Sequence, residues 1–436
     1  MIADFTRRHL TLVSLGALLV AAAFVRMPFW LSSTYAYGHG DAITWEVWSR
    51  AIYDHGFINV FRTADSNYVG YHYVLWPTSI IYGWISPEYE LWTAPIRILI
   101  KVPPFVCDLG LAAMIFFLAR DLSTARTEPG RHAQAALAAA AFTLAPASVY
   151  DSMWWSQIDS VITLCMLGSV MLMLRGRIGT AWALWMLGFL FKPQPIVILP
   201  VLAAFTFWKY GSTSLLRGVA CAVAVGLAAL APFLLHGDAG RIGGTYQTIF
   251  QQDPIDLSEG AWNGWSILDL HGDDPHPVDT AFTAGGIDVS YAELSLALSA
   301  AATLLVLAYL RRHLDTSGVL FACAAMVFIF FILPTSTHER YLYPLFAFAA
   351  PLLVRSSRII AVYVLLSVTF TLNLLAINPP NASDFWQWHE TPFAVAIAAM
   401  NIAVFCALMM WLMASMIPRA ASVTRRLSRP EALAEP

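Results

Sequence analysis

The sequence predicts an all-α, polytopic membrane protein with about 12 transmembrane helices. Of its 436 residues 58% are hydrophobic and only 12% are charged, and the mean hydropathy is +0.62. A soluble domain carries about a quarter charged residues. The apolar residues also fall in runs close to the length that crosses about 30 Å of hydrocarbon. We therefore expect one integral membrane domain over residues 1–436 and no second, soluble domain.

The first apolar run resembles a signal peptide. Arg7 and Arg8 precede an apolar stretch from Leu10 to Val25, an order typical of secretory signals. No small-residue cleavage site follows cleanly, and many further apolar runs do follow. The run is therefore interpreted as an uncleaved first transmembrane helix.

Twelve apolar runs are predicted to cross the membrane. They cover residues 10–30, 99–119, 133–150, 157–174, 179–192, 194–208, 218–235, 290–310, 318–334, 341–354, 359–377 and 392–416. The runs 179–192, 194–208 and 341–354 are short, about 21–23 Å at 1.5 Å per residue. Pro193 and Pro195 break the chain between the first two of these. Short or broken helices are tolerated where they line a cavity or are buried in protein.

The distribution of basic residues orients these spans. With twelve spans and both termini in the cytosol, most of the 25 basic residues fall on the cytosolic side, as the positive-inside rule requires. They are Arg7, Arg8, Arg120, Arg126, Arg131, Arg175, Arg177, Lys209, Arg217, Arg311, Arg312, Arg355, Arg358, Arg419, Arg425, Arg426 and Arg429. We expect a plasma (inner) membrane protein whose polar site lies on the periplasmic or extracellular side.

Two long outer loops and a cytosolic tail follow from this map. The loops cover about 31–98 and 236–289, and the tail covers about 417–436. Residues 71–86 are apolar and aromatic, and we interpret them as an amphipathic segment that is interfacial or re-entrant. The stretch 269–287 contains Gly, Asp and Pro and is expected to be an irregular loop. No internal repeat is evident.

An aspartate just after the first span is a candidate general base. Asp41 follows Tyr37-Gly38-His39-Gly40 and precedes Trp45, Glu46 and Trp48. An acid close to a membrane exit and flanked by glycine and aromatics can accept a proton from a substrate. The alternative role is a helix N-cap, for which aspartate is also favoured.

Two further polar groups fall on the predicted outer side. Asp159, in Trp154-Trp155-Ser156-Gln157-Ile158-Asp159-Ser160, can serve a site or cap a helix, and the tryptophans are interpreted as interface anchors. Lys192, in Phe191-Lys192-Pro193-Gln194, suits a phosphate or snorkels to the interface.

The fourth group is His338-Glu339-Arg340, within an apolar run. Arg340 can bind phosphate oxygens with two hydrogen bonds. Glu339 can hold Arg340 or a sugar hydroxyl, and His338 can donate to phosphate. The alternative is an ion pair in a surface loop. All four groups are expected at one membrane face.

The remaining polar and thiol residues give weaker signals. Lys101 and Asp108 allow an intramembrane pair, although seven residues separate them along a helix. The five cysteines lie in apolar runs, without metal-ligand or disulfide spacing. The acids and histidines near Asp269–His276 are too irregularly spaced for a zinc site. The sequence predicts no metal ligand and no nucleotide-binding loop.

The four groups together resemble the GT-C class of membrane glycosyltransferases, which use polyprenyl-phosphate sugars. Gly40-Asp41 with Trp48 resembles the first-loop motif of the dolichyl-phosphate-glucose-dependent glucosyltransferases. Phe191-Lys192 followed by glutamine resembles their Phe-Lys-Gln motif, with Pro193 inserted, and His338-Glu339-Arg340 resembles their His-Glu-Lys motif. Trp155–Ser160, Lys192-Pro193-Gln194 and His338–Tyr341 are similar to segments of bacterial mannosyltransferase-like proteins. The likeness extends over residues 37–344.

The resemblance implies an inverting hexosyltransferase with a GT-C fold. Asp41 would be the catalytic base, and the lipid phosphate would be held by Lys192, Gln194, His338 and Arg340. Glu339, Gln157, Asp159, His39 and Trp48 would position substrate. The partners implied are a polyprenyl-phosphate sugar, a lipid-linked or cell-envelope glycan acceptor and the bilayer. No cofactor and no nucleic acid are implied. Since no acid adjoins Asp41, we expect metal independence, although some GT-C enzymes use a divalent ion.

Two other functions fit the same sequence. A secondary transporter or lipid flippase also has many spans and polar groups at broken helices. A ligase that hands a preassembled glycan to a lipid or protein needs similar residues. The sequence does not name the sugar, and Trp262, Asn263 and Trp265 are candidates for contacting it.

Overall fold

The protein is described by a computed structural model that covers residues 2–32, 40–64, 68–251, 256–269, 275–379 and 391–416. Within this part the regular secondary structure is helical apart from one hairpin. The helices are α1 (Ile2–Trp30), α2 (Gly40–His55), α3 (Val60–Thr63), α4 (His72–Ile85), α5 (Ala94–Ile100), α6 (Val102–Leu122), α7 (Glu128–Thr143), α8 (Pro146–Val149), α9 (Asp159–Leu174), α10 (Ile178–Phe191), α11 (Leu199–Tyr210), α12 (Ser212–Leu235), α13 (Ala239–Gln251), α14 (Ser266–Asp269), α15 (Tyr291–Arg312), α16 (Thr316–Ile332), α17 (Tyr343–Ala349), α18 (Ser357–Ile377) and α19 (Pro392–Met416).

Six of the described helical segments are long and apolar enough to cross a membrane. They are His9–Trp30, Ala94–Leu122, Ser212–Leu235, Tyr291–Arg312, Ser357–Ile377 and Pro392–Met416. A seventh is added if Glu128–Thr143 and Pro146–Trp154, which meet at 55°, count as one broken span. The helices α9, α10 and α16 and the stretch Gln194–Tyr210 are apolar but shorter. The protein is therefore an all-α membrane protein, as the composition predicts.

Every predicted apolar run coincides with helix in the structure. Two of the short runs are separated where prolines occur: α10 stops at Phe191, and a tight helical turn over Gln194–Ile198 leads into α11. Proline lacks the N–H that an α-helix needs, so the break follows from the sequence. The core lies between α6, α7, α9, α10 and α16, and α16 is buried along nearly its whole length.

The first loop forms a small helical layer of its own. Its helices α2, α4 and α5 pack together around an aromatic cluster. The predicted segment 71–86 is the helix α4, which buries Leu75 and Tyr82 and leaves Trp84 79% exposed. One apolar face thus packs on protein, and the opposite apolar face is uncovered.

The second loop contains a hairpin that the sequence analysis missed. Strands β1 (Thr280–Ala284) and β2 (Ile287–Ser290) pair antiparallel, so the expectation of irregular structure over 269–287 is wrong there. Gly285 and Gly286 form the turn with φ of +60° and +82°. Two consecutive residues with positive φ make the turn that best matches strand twist, and glycine adopts it without strain.

A buried ion pair ties α1 to the core. Arg26 Nε lies 2.7 Å from Asp108 Oδ2, and neither side chain is exposed. Ser152 and Tyr343 donate further hydrogen bonds to the Asp108 carboxylate. The pairing of Asp108 with Lys101 allowed by the sequence does not form. Lys101 instead donates to backbone oxygens at the end of α1, since two helical turns separate it from Asp108.

The basic turns of the chain gather at one end of the helix bundle. Lys209 donates to the carbonyl of Leu314 (3.2 Å), and Arg312 donates to that of Met416 (2.9 Å). These contacts join turns that are distant in sequence. Asp159 begins α9 and Lys192 follows α10, so both lie at the ends of these helices opposite Arg175 and Arg177.

Candidate functional site

Side chains from four separate segments meet at the end of the bundle opposite the basic turns. They come from the first turn of α2, the turn before α9, the break after α10 and the segment that follows α16. The four motifs of the sequence therefore converge, as predicted.

Asp41 lies in the first turn of α2 and bridges two of these segments. Its Oδ2 accepts a hydrogen bond from Gln157 Nε2 at 2.5 Å and lies 3.4 Å from Arg340 Nη2. The Asp41 side chain is 30% exposed, so the protein encloses it only in part. Asp41 therefore contacts Gln157 and Arg340 from other segments, in addition to standing in the first turn of α2.

The local backbone explains how Gln157 reaches Asp41. A π-helical turn over Tyr150–Trp154 precedes it, and Ser156 has a φ of +64°. Trp45 Nε1 donates to the Ser156 carbonyl at 3.1 Å and holds this unusual conformation. Such π-turns and positive φ values at non-glycine residues are frequent at functional sites.

The charge environment keeps Asp41 ionised. Burial acts to raise the pKa of this carboxyl, but the Arg340 guanidinium opposes it, followed by the hydrogen bond from Gln157 and the charges of Lys192 and His338. The pKa of Asp41 is lowered as a result. While Arg340 remains beside it, the carboxylate is a weak base.

Lys192 is buried and paired instead of snorkelling to the surface. Its Nζ lies 2.8 Å from Asp159 Oδ1, and the two side chains are 4% and 0% exposed. Nζ also lies 5.2 Å from the centre of the Tyr341 ring. Asp159 therefore serves an ion pair, although it also stands at the first position of α9, and Oδ2 has no hydrogen-bond partner among the described residues.

Arg340 is shared between two carboxylates. Nη1 lies 3.0 Å from Glu339 Oε1, and Nη2 contacts Asp41. The guanidinium carbon lies 5.7 Å from the Trp155 ring centre. Trp155 is 7% exposed, so its interpretation as an interface anchor is wrong: it packs behind Arg340. The Glu339–Arg340 pair is largely buried and does not belong to a surface loop.

His338 has a partner that the sequence analysis missed. Its Nε2 lies 2.8 Å from Glu259 Oε2, in the second loop. The hydrogen bond from His338 lowers the pKa of Glu259. The sequence alone could not predict this pair, because 79 positions that include α15 and α16 separate the two residues.

Gln194 joins the group through the backbone of the His-Glu-Arg segment. Its Nε2 donates to the Tyr341 carbonyl at 3.1 Å, and its Oε1 has no partner within the described part. Tyr68 is another residue the sequence analysis did not single out. It packs against Trp45 and Trp48 at the edge of the charged group.

Some predicted site residues lie elsewhere. Trp48 is 4% exposed and packs on Trp45 and His72 in the first-loop cluster. Asn263 donates to the Phe331 carbonyl and the indole N–H of Trp265 to the Leu333 carbonyl, so they anchor the second loop.

Other predicted residues fall where the structure gives no description. His39, the tail 417–436 and the loop residues His271, Asp273 and Asp274 lie outside the described residues. Among the residues described, no group of three or more His, Cys, Asp or Glu side chains is arranged to hold a metal ion.

Comparison with known proteins does not assign this chain to a family. No family model matches the chain, and the search of curated proteins finds no match. The fold and the convergence of the four motifs therefore stand on the structure alone.

Proposed function

We propose that the protein is an inverting glycosyltransferase that moves a hexose from a polyprenyl phosphate to a lipid-linked or cell-envelope glycan acceptor. The observation that carries the proposal is the contact of Asp41 with Arg340, 3.4 Å apart, in a partly open site at one end of a membrane-embedded bundle. A carboxylate beside a guanidinium provides both groups the reaction needs. The acid can accept a proton, and the cation can stabilise a phosphate that leaves.

The reaction is a direct displacement. The acceptor hydroxyl attacks the anomeric carbon, its proton passes to Asp41, and the bond from that carbon to the phosphate oxygen breaks. The polyprenyl phosphate leaves with the electron pair, and the anomeric configuration inverts. Arg340, with Lys192 and His338 beside it, meets the charge that develops on the phosphate.

Donor binding activates the base in this mechanism. Before the donor binds, Arg340 forms ion pairs with Asp41 and Glu339, and Lys192 forms an ion pair with Asp159. A phosphate competes with Asp41 for the guanidinium while Glu339 keeps hold of its other edge. Loss of the cation removes the largest of the influences that lower the pKa of Asp41, so this pKa rises and the carboxylate becomes a better base.

The topology is part of the proposal. We propose that all twelve predicted runs cross the membrane as a GT-C fold, with the basic turns in the cytosol. The site then lies on the periplasmic or extracellular side of the plasma (inner) membrane. The sorting of charge between the two ends of the bundle supports this orientation.

A direct test is transfer by the purified protein. Synthetic polyprenyl phosphates that carry mannose or glucose are incubated with membrane glycolipid extract, and products are followed by mass spectrometry. We expect a glycolipid one hexose heavier, release of polyprenyl phosphate, and activity in the presence of EDTA. If no hexose donor supports transfer, the proposal is wrong.

A secondary transporter or flippase is the second candidate, and Asp151 favours it. This residue is fully buried in the π-helical turn, and both carboxylate oxygens have no hydrogen-bond partner within the described part. Ionisable groups buried at membrane depth are typical of proton relays. Proton-driven solute uptake by reconstituted vesicles, lost in Asp151→Asn, identifies this function if no transfer occurs.

A further inference from the structure

A segment of the second loop lies directly on the His-Glu-Arg segment. Residues 256–263, here termed the strap, run beside residues 336–339. Ser336 N–H donates to the Leu257 carbonyl at 2.9 Å, and Ala261 N–H donates to that of Thr337 at 3.3 Å. Gly260 and His338 form an antiparallel bridge. The strap and residues 336–338 thus behave as a short pair of strands.

The far side of the strap is fixed to the helix bundle. Asn373 on α18 donates to the Gly260 carbonyl (2.8 Å) and accepts from Trp262 N–H (3.0 Å). Asn401 on α19 donates to the Trp262 carbonyl at 2.9 Å. Both asparagines are buried, so these hydrogen bonds are shielded from water. These hydrogen bonds fix the position of the strap relative to α18 and α19.

The strap presents one charged side chain to the site. Glu259 Oε2 lies 2.8 Å from His338 Nε2, and the two side chains are 38% and 30% exposed. Arg340 and Asp41 are the other charged groups that interact with this pair, and the Tyr341 ring packs on the imidazole. With Nε2–H donated to Glu259, Nδ1 is the ring atom left for a second partner. Nδ1 can donate to a phosphate oxygen only in the imidazolium form, which carries a proton on both ring nitrogens.

The next residue of the strap leaves room for Glu339. Gly260 has a φ of +90°, and a Cβ added there would lie 2.9 Å from Glu339 Oε2 and 3.1 Å from Ile377 Cδ1. A larger residue therefore pushes the Glu339 carboxylate away, and Glu339 is what holds Arg340 Nη1. The strap controls the partners of both His338 and Arg340.

We infer that Glu259 and Gly260 are positioning residues for the phosphate site, an inference that rests on the proposed function. Glu259 orients the His338 ring, so that its free nitrogen meets a phosphate oxygen. Gly260 leaves room for the Glu339 carboxylate. Glu339 therefore holds Arg340 within reach of both Asp41 and the incoming phosphate. Neither residue touches the reacting atoms.

The first test replaces the charge of Glu259 and keeps its shape. Glu259→Gln is expected to weaken binding of sugar-free polyprenyl phosphate about tenfold, the equivalent of one weakened charge-assisted hydrogen bond. The KM for the donor rises by a similar factor, and kcat falls because His338 also meets the charge that develops on the phosphate. The melting temperature stays near the wild-type value. Glu88→Gln, which removes an exposed acid of the first loop, is the matched control and should change none of these.

The second test acts through Gly260. Gly260→Ala is expected to lower affinity for polyprenyl phosphate more than Glu259→Gln does, since it disturbs Arg340 through Glu339. If Gly260→Ala does not fold, Glu259→Gln alone decides. Wild-type affinity in Glu259→Gln overturns the inference, and so does a lower melting temperature with an unchanged ratio of KM to kcat.

The two proposals fail in different ways. If the wild type transfers hexose and binds polyprenyl phosphate but Glu259→Gln does so equally well, only the role of the strap is wrong. If the wild type neither binds polyprenyl phosphate nor transfers hexose, the proposed function is wrong and the inference falls with it.

Discussion

The role of each charged residue in this protein depends on the partner with which it pairs in the fold. Lys192 and Asp159 are 33 positions apart, and a single sequence gives no sign that they form a buried pair. The sequence did single out both residues, because ionisable groups flanked by apolar runs are rare. The sequence thus indicated which residues gather at the site, but not how they pair.

Glu46 allows the effect of burial on a single carboxyl group to be tested. It is fully buried on α2, accepts from Trp92 N–H at 2.8 Å, and lies 3.9 Å from Arg97. Burial raises the pKa of Glu46 to about 7, against the partial opposition of these two groups. A carboxyl whose pKa is raised by folding contributes most stability below its unfolded pKa, and the contribution is lost as pH rises through about 7.

We expect Glu46→Gln to stabilise the protein above pH 8 by up to about 3 kcal/mol, because glutamine accepts the same hydrogen bond without a charge to desolvate. At pH 5 the variant and the wild type should unfold at nearly the same temperature. Thermal unfolding in detergent at the two pH values measures this. An equal shift at both pH values would disprove the role of ionisation.

The Arg26–Asp108 pair allows a second test. Removal of one partner of a buried pair costs about 3–5 kcal/mol, since the other charge stays buried. Arg26→Met should therefore lower the melting temperature strongly. Arg50→Met, which removes an exposed pair with Asp54 at 3.2 Å, should cost less than about 1 kcal/mol. Similar losses in both variants would contradict the buried network.

At the level of elements, hydrophobic runs and prolines predicted the helices well. Each predicted run coincides with helix, and the break after α10 falls at Pro193 and Pro195. The hairpin at Thr280–Ser290 was missed although Gly285-Gly286 is a strong turn signal. Its strands are largely exposed and therefore lack the alternating pattern that normally reveals a strand. The strap was missed because its pairing depends on residues more than seventy positions away.

The contact between the first loop and α10 is tested at Gly70. Its N–H donates to the Leu190 carbonyl at 2.7 Å, and a Cβ there would lie 2.8 Å from the Leu190 carbonyl carbon. Gly70→Ala should cost about 1–3 kcal/mol and disturb Lys192, two positions further on. Gly16→Ala, on α1 with nothing within 4 Å, should be neutral or slightly stabilising. Equal stability of both variants in thermal unfolding would contradict this packing.

At the level of the whole molecule, composition predicted the class and charge predicted an orientation. Among the described residues, Arg175 and Arg177 lie between α9 and α10 at the end opposite Asp159 and Lys192, where the motifs converge. The number of spans is the finer question, because several helices are shorter than the bilayer is thick. Helix length therefore does not predict the number of spans, whereas the distribution of basic residues predicts twelve.

Site-directed cysteine labelling tests this orientation. Cysteine at Glu88 should react with a membrane-impermeant maleimide in intact cells, whereas cysteine at Arg177 should react only after permeabilisation. Both positions are exposed, so access alone decides the result. The unmodified protein, with its five cysteines in apolar helices, gives the background. Labelling at Arg177 from outside would contradict the twelve-span topology.

The central claim is that Asp41 accepts the proton during sugar transfer. The most direct measurement is the initial rate of polyprenyl phosphate release from a hexosyl donor by the wild type, Asp41→Asn and Asp54→Asn. Asp54, an exposed acid on the same helix, is the matched control. We predict that Asp41→Asn reduces kcat by at least about a hundredfold and that Asp54→Asn keeps the wild-type rate. Full activity of Asp41→Asn would contradict the mechanism.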